Sequence, residues 1–386
     1  MRFFDLQADA RTRSRQLSWA FAMAVVATVA GMNLALSLPW IVLRALEGRY
    51  IDYPFAFVPV NVGLTLALIL GGWWLESGNC RHGVRLAEKL GARRAQPGQS
   101  FAEQRLVNVV SEICIAAHMP APAVMVLPQH AGINAFAAGL TPRDWAIVVT
   151  DGALAHLTRD ELQGLVAHEC SHLKEGDTAL NMRLIGMVAG LEMVWDFGRS
   201  LIPDLDDEDD DAPDRGGIGG TYGSRWQRKP QPGATPLAVP GMVFGVIFMS
   251  VGWMGWLAGH LLQAAVSRER EYLADARAVQ WTRLADGLGR TLRKILTQQQ
   301  EAAERQGEKR APLRLGNAAA HLFLVADSGS FPTPENPRRL GRLIATHPPL
   351  TERIRRVYGR ARGPLPLPQI DPRTGEPAVE AKPFVW

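Results

Sequence analysis

Two long stretches of this chain lack any charged residue, and cysteine is scarce throughout. The 386 residues include three cysteines, Cys80, Cys114 and Cys170, without a pairing pattern. This excludes a disulfide scaffold and favours a reducing compartment. The net charge of +4 is mild, so nucleic acid is not indicated as a partner. With 47% hydrophobic residues, the chain has ample material for a core.

The charge-free stretches predict helices that cross a membrane. They cover residues 16–43 and 54–75, and a helix needs roughly 20 apolar residues to cross the hydrocarbon core. A cleaved signal peptide is an alternative for the first stretch, and buried helices of a soluble protein are an alternative for both. Because the two stretches are separated by only ten residues, a transmembrane hairpin over residues 1–76 is the simplest interpretation.

The placement of basic residues predicts the side that each segment faces. Arginine and lysine cluster before the first stretch and after the second, whereas the turn between them has only Arg44 and Arg49. By the positive-inside rule, the N-terminus and the chain after residue 76 face the cytoplasm. The clustered residues are Arg2, Arg11, Arg13, Arg15, Arg81, Arg85, Lys89, Arg93 and Arg94.

Two further hydrophobic segments predict a second hairpin over residues 181–266. Residues 236–266 are charge-free, whereas residues 181–202 carry Glu192, Asp196 and Arg199 at spacings that share one helix face. Since candidate site residues flank this pair of segments on both sides, either both segments cross the membrane or neither does. We expect both to cross, with the charged side chains turned towards other helices because charge facing lipid is costly.

The segment between these helices, residues 203–235, is acidic and then glycine-rich, which predicts a disordered loop. A calcium site is a weaker alternative, because the loop has no glycine-punctuated ligand spacing. The crossing of both helices places this loop in the periplasm. Its basic residues, Arg225, Arg228 and Lys229, argue against that side.

A short motif, HECSH, carries the strongest chemical signal. It contains His168 and His172, four residues apart, and Glu169 next to the first histidine. On a helix the two imidazoles project from one face, as two ligands of one zinc ion require, and Glu169 can reach the attacking water as a general base. Two histidines without a metal on an amphipathic helix are the alternative. We interpret Cys170 as filling the helix, not as a ligand or nucleophile.

Local signals predict the bounds of that helix. Thr158 and Glu161 have the spacing of a capping box, in which both side chains bind backbone N–H groups at a helix start. We therefore expect a helix over residues 159–175.

A third metal ligand is needed, and a later segment offers one. The metzincin continuation fails, because Glu175 stands where its glycine belongs and Thr178 where its third histidine belongs. In SREREYLADARAV, residues 267–279, Glu271 and Asp275 lie four apart on one helix face. Glu271 completes a His, His, Glu set, and Asp275 is placed to hold a ligand histidine by its second ring nitrogen. A solvated helix face is the alternative for this pair.

Four motifs occur in this order along the chain: GINAFAAGL (132–140), HECSHLKEGD (168–177), SREREYLAD (267–275) and ATHPPLTERI (345–354). Together they resemble the motifs of the HtpX-type membrane zinc metallopeptidases, gluzincins related to the prenyl-protein endopeptidases. The resemblance implies a zinc endopeptidase of the bacterial inner membrane that clears damaged or misfolded proteins, with one Zn²⁺ per chain and an active site on the cytoplasmic side. It implies that His168, His172 and Glu271 bind zinc and that Glu169 is the base.

Further roles follow from the same resemblance. His347 and Arg353 match positions that steady the oxyanion, and both are donors of the kind this role needs; a surface cap or a phosphate contact is the alternative for each. Asn134, Ala135 and Phe136 begin an edge-strand region, beside a buried strand at 146–150, where an extended substrate can pair by main-chain bonds. Asn134 equally fits a turn.

These observations predict a mainly α-helical membrane protein with transmembrane helices and a cytoplasmic α+β zincin-like protease domain. The protease domain comprises residues 77–180 and 267–360, with a few strands near 124–127 and 146–150, and residues 361–386 form a proline-rich, disordered tail. The expected partners are protein or peptide substrates and the lipid bilayer, while the oligomeric state is left open. A catalytically silent membrane scaffold or holdase of the same fold is the alternative function.

Overall fold

A computed structural model of the chain describes residues 3–48, 50, 52–79, 82–202, 238–304, 324 and 347–377. These residues fall into two compact units. The first, here called the helical unit, is built from Met1–Asn79 and Arg183–Gln263. The second, here called the mixed unit, is built from Cys80–Met182, Ala264–Arg314 and Ala319–Trp386.

The helical unit begins with the predicted pair of apolar helices, α1 (Phe3–Leu46) and α2 (Phe57–Asn79). The indole of Trp40 donates a hydrogen bond to the Asp52 carbonyl at 2.8 Å, and Arg44 pairs with the Asp52 carboxylate. Three helical segments of the described chain are long and apolar enough to cross a membrane: Trp19–Leu46, Phe57–Gly78 and Gly241–Leu261. This confirms a mainly helical membrane protein.

Helix α7 (Asp177–Ser200) covers most of the predicted span 181–202 but is not among those three segments. Its part in the helical unit is mostly buried, with Ile185 and Val194 fully covered. A Cβ on Gly190 would lie 2.6 Å from the Ile69 carbonyl oxygen, so a side chain there would keep α2 and α7 apart. That α7 crosses the membrane stays a prediction. Because α7 is mostly buried among other helices, Glu192 and Asp196 can face those helices.

The mixed unit contains a four-stranded sheet with the order β1-β2-β4-β3. Parallel pairing joins β2 to β4, and antiparallel pairing joins β1 to β2 and β3 to β4. The strands predicted near 124–127 and 146–150 are confirmed, and the region after Asn134 forms an edge strand as expected. The strands are β1 (Arg93–Arg94), β2 (Ala123–Leu127), β3 (Ala135–Ala138) and β4 (Ala146–Thr150).

Helix α6 (Arg159–Glu175) has the predicted bounds. The Thr158 hydroxyl accepts from the Glu161 N–H, and the Glu161 carboxylate accepts from the Thr158 N–H, so the capping box is formed. The helix ends at Gly176, whose φ of 77° is strained for other residues. The other helices are α3 (Gly83–Lys89), α4 (Phe101–Ala117), α5 (Asp151–His156), α8 (Ala238–Thr282), α9 (Ala285–Glu304) and α10 (Leu350–Tyr358).

Helix α6 lies at the centre of the mixed unit, where it packs against α4, α9 and β3. Gly164 permits the close approach of α9, because a Cβ there would lie 2.3 Å from the Leu288 backbone nitrogen. Other contacts of α6 are aliphatic: Leu162, Leu165 and Val166 are fully buried in one hydrophobic core. Eleven of its 17 residues are buried, which fixes both the position and the rotation of this helix.

The loop predicted at 203–235 lies outside the described residues. Residues 361–377 of the tail are not disordered as predicted. They have no helix or strand but are bound to the rest of the mixed unit by hydrogen bonds. Leu365 N–H donates to the Arg293 carbonyl at 3.3 Å, Ile370 N–H donates to the Ala155 carbonyl at 2.9 Å, and Ile370 is buried. The prolines rule out a helix here, but carbonyl acceptors on α5 and α9 satisfy the backbone.

Candidate metal centre

Three side chains of the mixed unit bring their ligand atoms together. His168 and His172 lie one turn apart on α6, and Glu271 comes from the part of α8 that begins at Ala264. The two histidine Nε2 atoms are 3.2 Å apart. The Glu271 carboxylate lies 3.6 Å from His168 Nε2 and 3.7 Å from His172 Nε2.

This spacing fits a single metal ion. Ligand atoms about 2.0–2.1 Å from a tetrahedral zinc ion lie roughly 3.3–3.4 Å from one another. The two Nε2 atoms, 3.2 Å apart, are close to that value, while Oε2 of Glu271 lies 3.6 Å from His168 Nε2 and Oε1 lies 3.7 Å from His172 Nε2. Two imidazole nitrogens and one carboxylate also form the donor set of a catalytic zinc site, which keeps its fourth position open.

His168 is held from behind by two buried charged residues. Its Nδ1 lies 3.0 Å from an oxygen of Asp275, as the sequence predicted for this carboxylate. Arg353 binds Asp275 through two nitrogens, at 2.9 and 2.6 Å, and lies 3.0 Å from Glu271. Arg353 and His168 are both 0% exposed. These contacts favour a role for Arg353 in positioning the two carboxylates over the predicted role in stabilising an oxyanion.

His172 has a corresponding arrangement that sequence reasoning missed. Its Nδ1 lies 3.0 Å from Asp177, and Asp177 pairs with Arg270. Asp177 follows the turn at Gly176, and Arg270 precedes Glu271 in the chain. The sequence signal for this contact was the acidic residue five positions after the second histidine, because a carboxylate there can reach back to the imidazole. Unlike His168, the His172 side chain is 13% exposed.

The side chain of Glu169 lies between the metal centre and the edge strand. Burial raises its pKa to about 7, an increase that the nearby backbone N–H of Ala137 on β3 partly offsets. A carboxylate whose pKa is near neutrality is suited to take up and release a proton.

His347 is the one predicted oxyanion donor that keeps a ring nitrogen available. Its Nδ1 lies 3.1 Å from Glu271, and its Nε2 has no hydrogen-bond partner among the described residues. Burial alone would raise the pKa of Glu271, but the charges of His347 and Arg353 outweigh it and hold that pKa well below its usual range. Glu271 is therefore ionised, as a metal ligand must be.

The predicted substrate-binding residues begin strand β3, where their side chains are buried. The Asn134 side-chain oxygen accepts from the Ala135 N–H at 3.0 Å, which is the local turn contact allowed for by its sequence. Ala135 and Phe136 are 0% exposed in side chain and main chain together, so no atom of either residue is open to solvent. The Ala135 carbonyl accepts from the Leu324 N–H at 2.9 Å.

The chain is similar in sequence to a family of known peptidases. The model of Peptidase family M48 matches residues 100–361. The chain is 33% identical over 279 residues to the "Protease HtpX homolog" of Thermoanaerobacter pseudethanolicus, covering 69% of this chain and 75% of that one. It is 29% identical over 334 residues to the same-named protein of Lactobacillus acidophilus, covering 82% and 93%.

A solved structure is also similar, at a lower level. The crystal structure of S. mikatae Ste24p has a TM-score of 0.37 and 15% sequence identity, covering 82% of this chain. The match spans 63% of the Ste24p chain, which is less than two thirds of its length.

Proposed function

The chain belongs to peptidase family M48, and from this premise we propose that it is a zinc-dependent endopeptidase of a bacterial inner membrane. The observation that carries the proposal is the convergence of His168, His172 and Glu271, whose ligand atoms all lie within 4.8 Å of one another. The protease domain comprises residues 77–180 and 267–360, and two hydrophobic hairpins, 1–76 and 181–266, anchor it.

We assign the metal ligands to His168, His172 and Glu271, for one Zn²⁺ per chain. When bound, zinc would polarise the scissile carbonyl and make a water molecule nucleophilic at neutral pH. Asp275 and Asp177 fix the two imidazoles, each through the Nδ1 position, so that each Nε2 would be the atom to hold the metal. Arg353 and Arg270 hold these two carboxylates in turn.

We assign the proton transfers to Glu169. Its carboxylate takes a proton from the attacking water and delivers it to the leaving amine. The Ala137 N–H lies close enough to lower the pKa of this carboxylate. His347 Nε2 is the available donor for the charge that develops on the carbonyl oxygen.

We propose that the substrate binds as an extended strand beside β3. The main-chain groups of residues 134, 136 and 138 face β4, so those of Ala135 and Ala137 point to the outer edge. Both main-chain groups of Ala135 are already bonded, to the Asn134 side chain and to Leu324, which leaves Ala137 for the substrate. The edge thus leads to the Glu169 carboxylate. Binding through main-chain bonds accepts many sequences, which suits the clearance of misfolded or damaged proteins.

The cytoplasmic side is proposed for this site from the positive-inside rule. A Gly220→Cys variant, with the three native cysteines replaced by alanine, tests the topology of the second hairpin. We expect a membrane-impermeant maleimide to label this cysteine from outside intact spheroplasts. Protection of the cysteine would indicate that the 181–266 pair does not cross.

The Glu169→Gln variant tests the mechanism. Because Glu169 is not a ligand, the variant should keep about one zinc ion per chain, while cleavage of casein in detergent should fall by roughly 10²–10⁴-fold. A chelator should stop the wild type, and zinc should restore it. Equal cleavage by the variant would exclude Glu169 as the base, and a zinc-loaded wild type that cleaves no unfolded or membrane substrate would favour the scaffold function.

A matched pair of glutamates tests the ligand assignment. Glu271→Ala should abolish stoichiometric zinc binding, whereas Glu175→Ala should retain it, because Glu175 pairs with Arg277 at the end of α6. Metal content by atomic absorption compares the two, and equal zinc loss would contradict the assignment.

A further inference from the structure

Two thiols meet where α4 packs against α6. Cys114 on α4 and Cys170 on α6 lie in one core, close enough for each to shift the other's pKa, and both are unpaired by disulfides. They belong to one hydrophobic core, in which Cys170 is 0% exposed and Cys114 is 4% exposed. The catalytic assignments above use neither thiol.

The two cysteines differ in their access to solvent. Cys114 lines a surface cleft of about 460 Å³. Cys170 does not line this cleft, so a small solute reaches Cys114 first. The cleft is otherwise lined by Ser111, Ile115, His118, Met119 and Ala121.

Cys170 lies between the two ligand histidines in sequence but on the opposite face of the helix. Each residue turns an α-helix by about 100°, so Cys170 is rotated by about 200° from both His168 and His172. A bond to its sulfur therefore acts on the back of the helix that presents the metal ligands.

We propose that Cys114 and Cys170 form an oxidisable thiol pair, whose disulfide ties α4 to the back of the metal helix and reversibly lowers peptidase activity. The oxidant is a hydroperoxide, for which hydrogen peroxide is the probe. The effect on activity rests on the proposed function, whereas the bond itself does not.

The chemistry proceeds in two steps. Cys114 attacks one oxygen of hydrogen peroxide, the O–O bond breaks, and a sulfenic acid and one water form. The sulfur of Cys170 then attacks the sulfur of Cys114, its S–H proton leaves with the hydroxyl as a second water, and the S–S bond forms. The two thiols lose two electrons in total, and the peroxide gains them.

The bond changes the catalytic centre through the position of α6. A disulfide is shorter than a contact between two thiols, so its formation draws α4 and α6 together. His168, Glu169 and His172 move with α6, and a displacement of about 1 Å at a catalytic group can cost roughly 10²-fold in rate. We expect a roughly ten- to hundredfold loss of activity.

The test uses the full chain in detergent with Cys80→Ser, which leaves only the pair. After peroxide treatment and alkylation, peptide mass mapping should find Cys114 linked to Cys170, casein cleavage should fall, and a phosphine reductant should restore it. In a Cys170→Ala chain, dimedone should label Cys114 and no cross-link should form. A Cys114→Ala chain should keep its activity under peroxide.

Absence of the cross-link after complete peroxide treatment would overturn the proposal, and so would a complete cross-link that leaves cleavage unchanged. Dimedone labelling of Cys170 in the Cys114→Ala chain would contradict the assigned order of attack. If the reduced chain cleaves nothing, the proposed function fails, while mass mapping still decides whether the bond forms.

Discussion

The two ligand histidines of one short motif have surroundings that differ in depth. On the buried side, His168, Asp275 and Arg353 are all at most 3% exposed. On the open side, the side chains of His172 and Arg270 are each 13% exposed. Both sides have the same chemical order of imidazole, carboxylate and guanidinium.

This difference shows that one repeated arrangement can serve two purposes. Where water is excluded, an unpaired charge is expensive, so the buried arrangement stabilises the fold as well as the metal ligand. Where water can enter, it can replace a lost partner, so the open arrangement mainly orients the imidazole. We therefore expect equivalent substitutions to have unequal effects on the two sides.

The largest expected difference is between the two arginines. Arg353→Met leaves Asp275 and Glu271 buried without their shared cation, which should cost about 3–5 kcal/mol of stability. Arg270→Met should cost clearly less, because water can replace a guanidinium that is itself 13% exposed, although Asp177 is only 4% exposed. Thermal unfolding in detergent, with and without chelator, compares the variants; equal losses would show that burial does not distinguish the two sides.

The carboxylates should differ next, in metal affinity. Removing the carboxylate behind a zinc-bound histidine costs about 10- to 100-fold in affinity. We expect Asp275→Asn to weaken zinc binding about 100-fold and Asp177→Asn to weaken it about tenfold. Competition with a chromogenic zinc chelator measures both constants, and a larger loss for Asp177→Asn would reverse the assignment of the two sides.

A smaller effect is expected at Glu161, which has its own buried and exposed cations. Lys294 binds it at 2.6 Å with a 2% exposed side chain, whereas Arg290 lies 3.2 Å away and is 50% exposed. Lys294→Met should cost about 1.5–3 kcal/mol, and Arg290→Met at most about 1 kcal/mol. Thermal unfolding decides, and a dominant effect of Arg290 would contradict the role given to burial.

Features with local causes were predictable from the sequence. The bounds of α6 follow from Thr158, Glu161 and Gly176, which lie at its two ends. Strands β2 and β4 follow from short apolar runs. The spacing of His168, His172 and Glu271 indicated three side chains that the fold brings together, although their roles as ligands stay a prediction.

Features with tertiary causes were not predictable in this way. The contact of Arg353 with Asp275 joins residues 78 positions apart, and no local pattern specifies it. Asp177 lies beyond the helix end, where the turn at Gly176 decides whether its carboxylate reaches His172. The ordered part of the tail depends on acceptors such as the Arg293 carbonyl, which a proline-rich composition does not reveal.

The alternation of main-chain groups along the outer edge of β3 imposes a two-residue step on any strand that binds beside it. Only every second residue of a β-strand directs its main-chain groups to one edge, so a bound strand can shift only in steps of two residues, or about 6.6–6.8 Å. Each allowed shift presents another peptide bond to the Glu169 carboxylate. Cleavage of an extended segment would then favour every second peptide bond. This two-residue period comes from the backbone of β3 and does not depend on the side chains of the substrate.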